Sequence, residues 1–272
     1  MNKTIKQHAV LALAALSLSG LQSVTAATNQ DRADISATII RYKAAIGVNP
    51  KNPETHLKLG QAYLLNGETD NAMGEFKKSI DLDERNTDAY IGLARAQIRK
   101  HDFDAAIGTL RQALKHDASN ADVHFKLGQV YTQKRRDDDA IAEYRQAIRD
   151  SASYGPAHRE LGAALGFKGD LDAQILEEKK AIELKPDDPD AYFYLGMGYM
   201  ELNKPSDASA AYEKCISLDP KNAEAYHMLA ACQAAQNQFD KAMQSARAAV
   251  KLDPNNPDYQ TTVKKLEAHG AH

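Results

Sequence analysis

Few side chains in this sequence are of types that do chemistry, and their spacing removes most of the possibilities. His56, His124 and His158 are the nearest approach to a metal-ligand set, since neutral imidazole is a common ligand. No two histidines stand at ligand spacing on one helical face. No Gly-rich phosphate loop follows a strand, and no nucleophile elbow appears. Cys215 and Cys232 are the two cysteines. They are expected either to pack as small apolar side chains or, in an oxidising compartment, to form a disulfide. The run Lys134-Arg135-Arg136-Asp137-Asp138-Asp139 largely cancels its own charge, and its acids suit the start of a helix. It reads as a solvated turn. The expectation is therefore no catalytic residue, no metal and no cofactor, with a metal- or cofactor-carrying role as a remote alternative.

The elements that carry these residues follow from composition and period. The 272 residues include no tryptophan, strand-like alternation does not recur, and Ala, Lys, Gln and Glu are abundant, which favours helix. Residues 1–26 differ from the rest. Lys3 and Lys6 precede an apolar run from Ala9 to Leu21, and Val24-Thr25-Ala26 supplies small residues. That layout is expected of a cleaved secretory signal peptide. The run has thirteen residues, short of the roughly 20 that span a bilayer, so no stable membrane span is expected after cleavage. No cysteine is placed for lipid attachment. Cleavage would remove two of the 34 basic groups and none of the 37 acidic ones. The acidic surplus argues against a general nucleic-acid binder.

From residue 53 onward the chain keeps a ruler. Leu59-Gly60, Leu127-Gly128, Leu161-Gly162 and Leu195-Gly196 recur, with Leu93-Ala94 and Leu229-Ala230 in the two remaining slots. Each step is 34 residues, without insertion. Self-similarity at such a period marks a helical array. Small residues on one helix of each unit, Gly60 or Gly128, are expected to face small Ala72 or Ala140 on the other. Leu59, Tyr63 and Phe76 would fill the space beside them. The prolines agree: Pro50, Pro186, Pro220 and Pro254 end second helices, Pro53, Pro189 and Pro257 stand at the next boundary, and Pro156 and Pro205 open helices.

The pattern resembles the tetratricopeptide repeat. In the fifth unit its marks are Tyr192, Leu195-Gly196, Tyr199, Ala208, Tyr212 and Pro220, with Cys215 in the second alanine slot. The resemblance covers six units, 53–86, 87–120, 121–154, 155–188, 189–222 and 223–256. It implies an all-α, right-handed solenoid of six repeats with capping helices at both ends. A half-repeat at 27–52 carries one lone helix, and residues 257–272 form a C-terminal capping helix and tail, with Tyr259, Val263 and Leu266 turned inward. Successive repeats are separated by two helix packings of roughly 8–10 Å each, which places the three histidines too far apart for one metal. They are expected to be packing residues whose ring nitrogens reach water or backbone.

The resemblance also implies that first helices line a concave groove through their second, fifth, sixth, ninth, twelfth and thirteenth positions. The Lys and Asn that clamp a peptide carboxylate in some members are replaced here by Leu57 and Gln61, Ile91 and Arg95, and Phe125 and Gln129. A chaperone-tail clamp is not expected. The positions offer a basic stripe instead, Lys58, Arg95, Arg99, Lys126 and Arg159, among apolar Leu57, Leu64, Ile91, Ile98 and Phe125. In the stretch DAYFYLGMGYM, Tyr192, Leu195, Gly196 and Tyr199 serve the repeat, whereas Phe193, Tyr194, Met197 and Met200 are expected to present a bare apolar face. Either a partner, the C-terminal helix or the curl of the array would cover it.

Repeat four departs from its neighbours. Gln174 replaces the small Ala and Glu178 the aromatic residue of its second helix, which is expected to loosen that unit. The whole reads as an exported, periplasmic, non-enzymatic scaffold binding a protein or peptide ligand. A homo-oligomer, with the lone N-terminal helix of one chain in the groove of another, is the alternative.

Overall fold

The computed structural model describes residues 29–270, with side chains from 33 to 268. The expected signal peptide at 1–26 and the last two residues lie outside these. Among the described residues the structure is all-helical. The lone α1 is Asn29–Val48. Six antiparallel pairs follow: α2 (Pro53–Leu65) with α3 (Thr69–Leu82), α4 (Thr87–Arg99) with α5 (Phe103–His116), and α6 (Ala121–Gln133) with α7 (Asp137–Asp150). Then come α8 (Gly155–Lys168) with α9 (Leu171–Leu184), α10 (Pro189–Glu201) with α11 (Pro205–Leu218), and α12 (Ala223–Ala235) with α13 (Phe239–Leu252). The last, α14, is Pro257–Gly270. No helix among the described residues is long and apolar enough to cross a membrane.

The chain divides into two compact units, Met1–Ala152 and Ser153–His272, so the division falls between the third and fourth repeats. The first unit holds α1 and three helix pairs. The second holds three pairs and α14.

Local chemistry repeats with the period. Asn52, Asn86, Asn120 and Asn222 each accept a hydrogen bond from a backbone N–H three residues on, in Thr55, Ala89, Val123 and Ala225. These side chains satisfy first-turn donors that would otherwise lack partners. Between the helices of each pair one residue adopts positive φ, always in the same slot: Gly67, His101, Arg135, Gly169, Asn203 and Asn237. Four of the six are not glycine, so the turn is imposed by the packing of the two helices and not by glycine alone.

The core sits between paired helices, and its logic differs from the expected small-on-small contact. A Cβ on Gly60 would lie 2.7 Å from the Phe76 ring, and one on Gly92, in the next first helix, 2.5 Å from it. Phe76, with no exposed surface, is thus held between two glycines. Gly128 stands against Tyr144 and Gly196 against Tyr212 in the same manner. The glycines make room for a ring, not for Ala72 or Ala140. Where the first helix carries Ala94 or Ala230 instead, the opposing slot holds the smaller Leu110 or Ala246. Ala94 with Leu110 roughly conserves the volume of a glycine and a ring, whereas at Ala230 and Ala246 other apolar side chains, Leu266 among them, pack in. In the second unit, Tyr259 and Leu266 of α14 are buried, and Leu266 and half-buried Val263 pack with Ala230, Ala242 and Ala246. In the first unit, Ile39 of α1 is buried among Leu57, Leu59 and Tyr63, while Ile40 and Val48 stay exposed on its other side.

Candidate functional site

First helices touch one another within each unit: α2 with α4, α4 with α6, and α8 with α10. They form a layer whose outward side carries the residues expected to bind. Packing sorts those residues sharply. Leu57 is 2% exposed and Phe193 2%; Phe125 and Tyr194 are buried as well. These four are corrections to the expected bare surface. A fifth-position side chain turns back onto the second helix: Phe125 lies 5.9 Å from Tyr144 and Phe193 5.7 Å from Tyr212, ring centre to ring centre. Leu57 belongs to the same cluster as Phe76. Leu64 and Ile98 are buried too. Met197 and Met200 stay half-buried, as does Ile91. The Met200 Sδ accepts a contact from the Cys232 thiol at 3.1 Å.

The basic stripe is partly consumed by internal bonds. Lys58 pairs with Glu54 at 3.3 Å. Arg99 donates to the Leu64 carbonyl at 2.5 Å. Lys126 donates to Gln129 and lies 5.0 Å over the Phe125 ring. Arg95 is exposed. Arg159 is the clearest correction. Its guanidinium is four-fifths covered and meets Asp188 at 2.9 Å, Glu160 at 3.0 Å and Asp190 at 3.6 Å. Burial works against its charge, but the three carboxylates prevail and raise its pKa. Arg159 is therefore already saturated with carboxylates and is not a seat for acidic partner groups.

Next to it lies the departure in repeat four. Glu178 is fully buried, and neither carboxylate oxygen has a hydrogen-bond partner. Burial pushes its carboxyl well above the ordinary range, with Glu160, Asp188 and Asp190 adding to the effect and Arg159 opposing it. Gly162 and Gly166 leave the space that Glu178 and Gln174 fill. Gln174 is satisfied by donating from Nε2 to the Tyr194 carbonyl at 2.9 Å, tying α9 to α10. Cys215 and Cys232 are free and buried; no disulfide joins them. Burial pushes both thiols up to about 12.

The three histidines are more than packing residues. Nδ1 of His56, His124 and His158 lies 2.6 Å from Glu75, Glu143 and Glu177, each nineteen residues on. Nε2 of His56 and His124 meets the Pro50 and Ala118 carbonyls. The pairs pin first helix to second. Their signal was present within the chain. Where the fourth slot holds Tyr90, Tyr192 or Tyr226, the partner slot holds Thr109, Ala211 or Ser245, and never Glu. Among the described residues no group of three or more His, Cys, Asp or Glu is arranged to hold a metal ion.

Comparison with known proteins accords with this geometry. Sequence models described as the tetratricopeptide repeat match residues 39–87 and 91–156 in one case and 64–112 and 199–266 in another. The chain belongs to the tetratricopeptide repeat family. Repeats of this family build protein–protein interaction scaffolds, and its members in the solved structures share the fold. PilF of Pseudomonas aeruginosa is 19% identical with a TM-score of 0.71, covering 78% of this chain and 97% of its own. A chain of the APC/C hetero-tetramer Cut9–Hcn1 is 19% identical with a TM-score of 0.70 over 87% of this chain. This chain spans 46% of the length of that protein. MamA is 28% identical with a TM-score of 0.56, covering 60% of this chain and 95% of its own. No curated protein matches the sequence.

Proposed function

We propose that this chain is a non-enzymatic scaffold of the cell envelope that holds a protein or peptide partner on its first-helix faces. The observation that carries the reading is the partly exposed pair Met197 and Met200, on a helix whose Ala191, Phe193, Tyr194 and Leu195 are buried. Met228 continues this apolar character on α12, where it too is half-buried. Methionine adapts its shape to varied apolar surfaces, and extended repeat surfaces are suited to partner binding. Another family member, YrrB, 22% identical, is described as having an unusual peptide-binding site, and Cut9 occurs in an assembly with Hcn1. The leader-like layout of residues 1–26 supports export.

Co-purification from envelope extract tests the reading, with the parent chain and Met197→Glu compared side by side. A partner retained by the parent and lost by a still-helical variant is the expected result. Equal capture by both would move binding to the second-helix side and overturn it.

A further inference from the structure

The charge on the first-helix faces differs between the two units. In the first, Glu54, Asp88 and Asp122 are accompanied by Lys58, Arg95, Arg99 and Lys126. In the second, the same register carries Glu160, Asp190, Glu201 and Glu224 with one cation, Arg159. That one guanidinium is shared unequally. Asp188 and Glu160 take it at 2.9 and 3.0 Å and are 10% and 15% exposed. Asp190, 33% exposed, is left with a 3.6 Å contact, too long for a hydrogen bond. Lys185 approaches Asp188 only at 3.9 Å. Beneath this group lies Glu178, fully buried, with two oxygens that have no partner, within electrostatic reach of Arg159, Glu160, Asp188 and Asp190. Four carboxyl groups thus gather about one arginine, and the most exposed of them, Asp190, is the one that Arg159 does not reach with a hydrogen bond.

Asp190 and Met197 are seven residues apart on α10, two helical turns along one stripe, with Met200 in the next turn. We propose that the first-helix face of the second unit binds a peptide segment that sets a lysine or arginine beside Asp190 and an apolar side chain on Met197 and Met200. The proposal rests on the scaffold reading and deepens it by naming the partner's chemistry. A basic side chain supplies the hydrogen bonds that Arg159 does not extend to Asp190, and a charge-assisted bond of this kind is stronger than a neutral one. An acidic segment would meet like charges, which disfavours wrong partners as strongly as matching charges favour the right one.

The test uses the full chain and two short labelled peptides with the same leucine spacing, one bearing lysines and the other glutamates, followed by fluorescence anisotropy. The lysine peptide is expected to bind and the glutamate peptide not to. Asp190→Asn is expected to weaken the lysine peptide about tenfold, equivalent to roughly 1.4 kcal/mol. Asp88→Asn, in the same register of the first unit, should leave it unchanged. Added salt should weaken binding, because a partly exposed ion pair is screened. Equal binding by parent and Asp190→Asn, preference for the glutamate peptide, failure of both peptides, or displacement of the lysine peptide by magnesium at constant ionic strength would each overturn the proposal. If Met197→Glu still abolishes capture of the native partner in such a case, the scaffold reading stands and only the charge selection falls.

Discussion

Gly162 and Glu178 face each other so closely that a Cβ on the glycine would lie 2.7 Å from the carboxylate Oε1. The other three repeats with glycine in this slot place an aromatic ring there: Phe76, Tyr144 and Tyr212. A flexible carboxyl group can swing aside, whereas a ring wedged between helices cannot. Gly128→Ala, against Tyr144, should therefore cost about 1–3 kcal/mol, and Gly162→Ala distinctly less. Urea unfolding of the two variants checks the order; equal losses would mean that Glu178 is as rigidly held as the ring.

Glu178 also makes the stability of the second unit depend on pH. Its folded carboxyl titrates well above the ordinary range because it is buried. A carboxyl raised in this way contributes fully below its unfolded value, about 4.3, and its contribution is lost as pH rises toward the folded value. Glu178→Gln keeps the shape and removes the titration. The variant should match the parent near pH 4 and exceed it at pH 8. Thermal melts across that range decide it. A parent as stable as the variant at pH 8 would place water or a cation on the carboxylate.

The same buried carboxyl makes α9 the weak element of its unit. Its amides should exchange with deuterium faster than those of α11, whose matching slot holds buried Tyr212. Protection equal to that of α11 would show that the bond from Gln174 to the Tyr194 carbonyl compensates for the orphaned oxygens.

His124 and Glu143 should behave as one element. His124→Tyr alone leaves Glu143 without the imidazole, and Glu143→Thr alone takes the carboxylate from Nδ1 while Nε2 keeps the Ala118 carbonyl; each should cost about 1–3 kcal/mol. Both changes together recreate the Tyr90 and Thr109 pair of the second repeat and should recover most of the loss. Urea denaturation of the double-mutant cycle reads the coupling. Additive losses would reduce the 2.6 Å contact to a chance proximity.

Cys215 and Cys232 should resist alkylation at pH 8 in the folded chain, since burial pushes both thiols up to about 12 and the thiolate is the reactive form. Both should react at once in urea. Mass spectrometry counts the labels; rapid labelling without urea would mean that α11 and α12 open readily.

The sequence by itself determined the register of this protein. Proline positions, Asn caps, the Leu-Gly pairs and their exact companions at a 34-residue step specify where each helix begins, which side is apolar, and that the array is helical. Those properties are local, decided by neighbours three and four residues apart on one helix. Even the slot exchange of His and Tyr with Glu and Thr could have been read in advance. Tertiary structure alone decided which outward positions remain bare. Phe193 and Tyr194 occupy the same stretch as Met197 and Met200, yet both rings are buried, Phe193 against Tyr212 and Tyr194 against Phe193, while the methionines stay half-covered. Arg159 looked like a free cation until the turn after α9 brought Asp188 and Asp190, nearly a full repeat away, onto its guanidinium. What covers Phe193, and which carboxylates besides its neighbour Glu160 meet Arg159, depends on residues nineteen or more positions distant, and only the packing of one helix on the next brings them together.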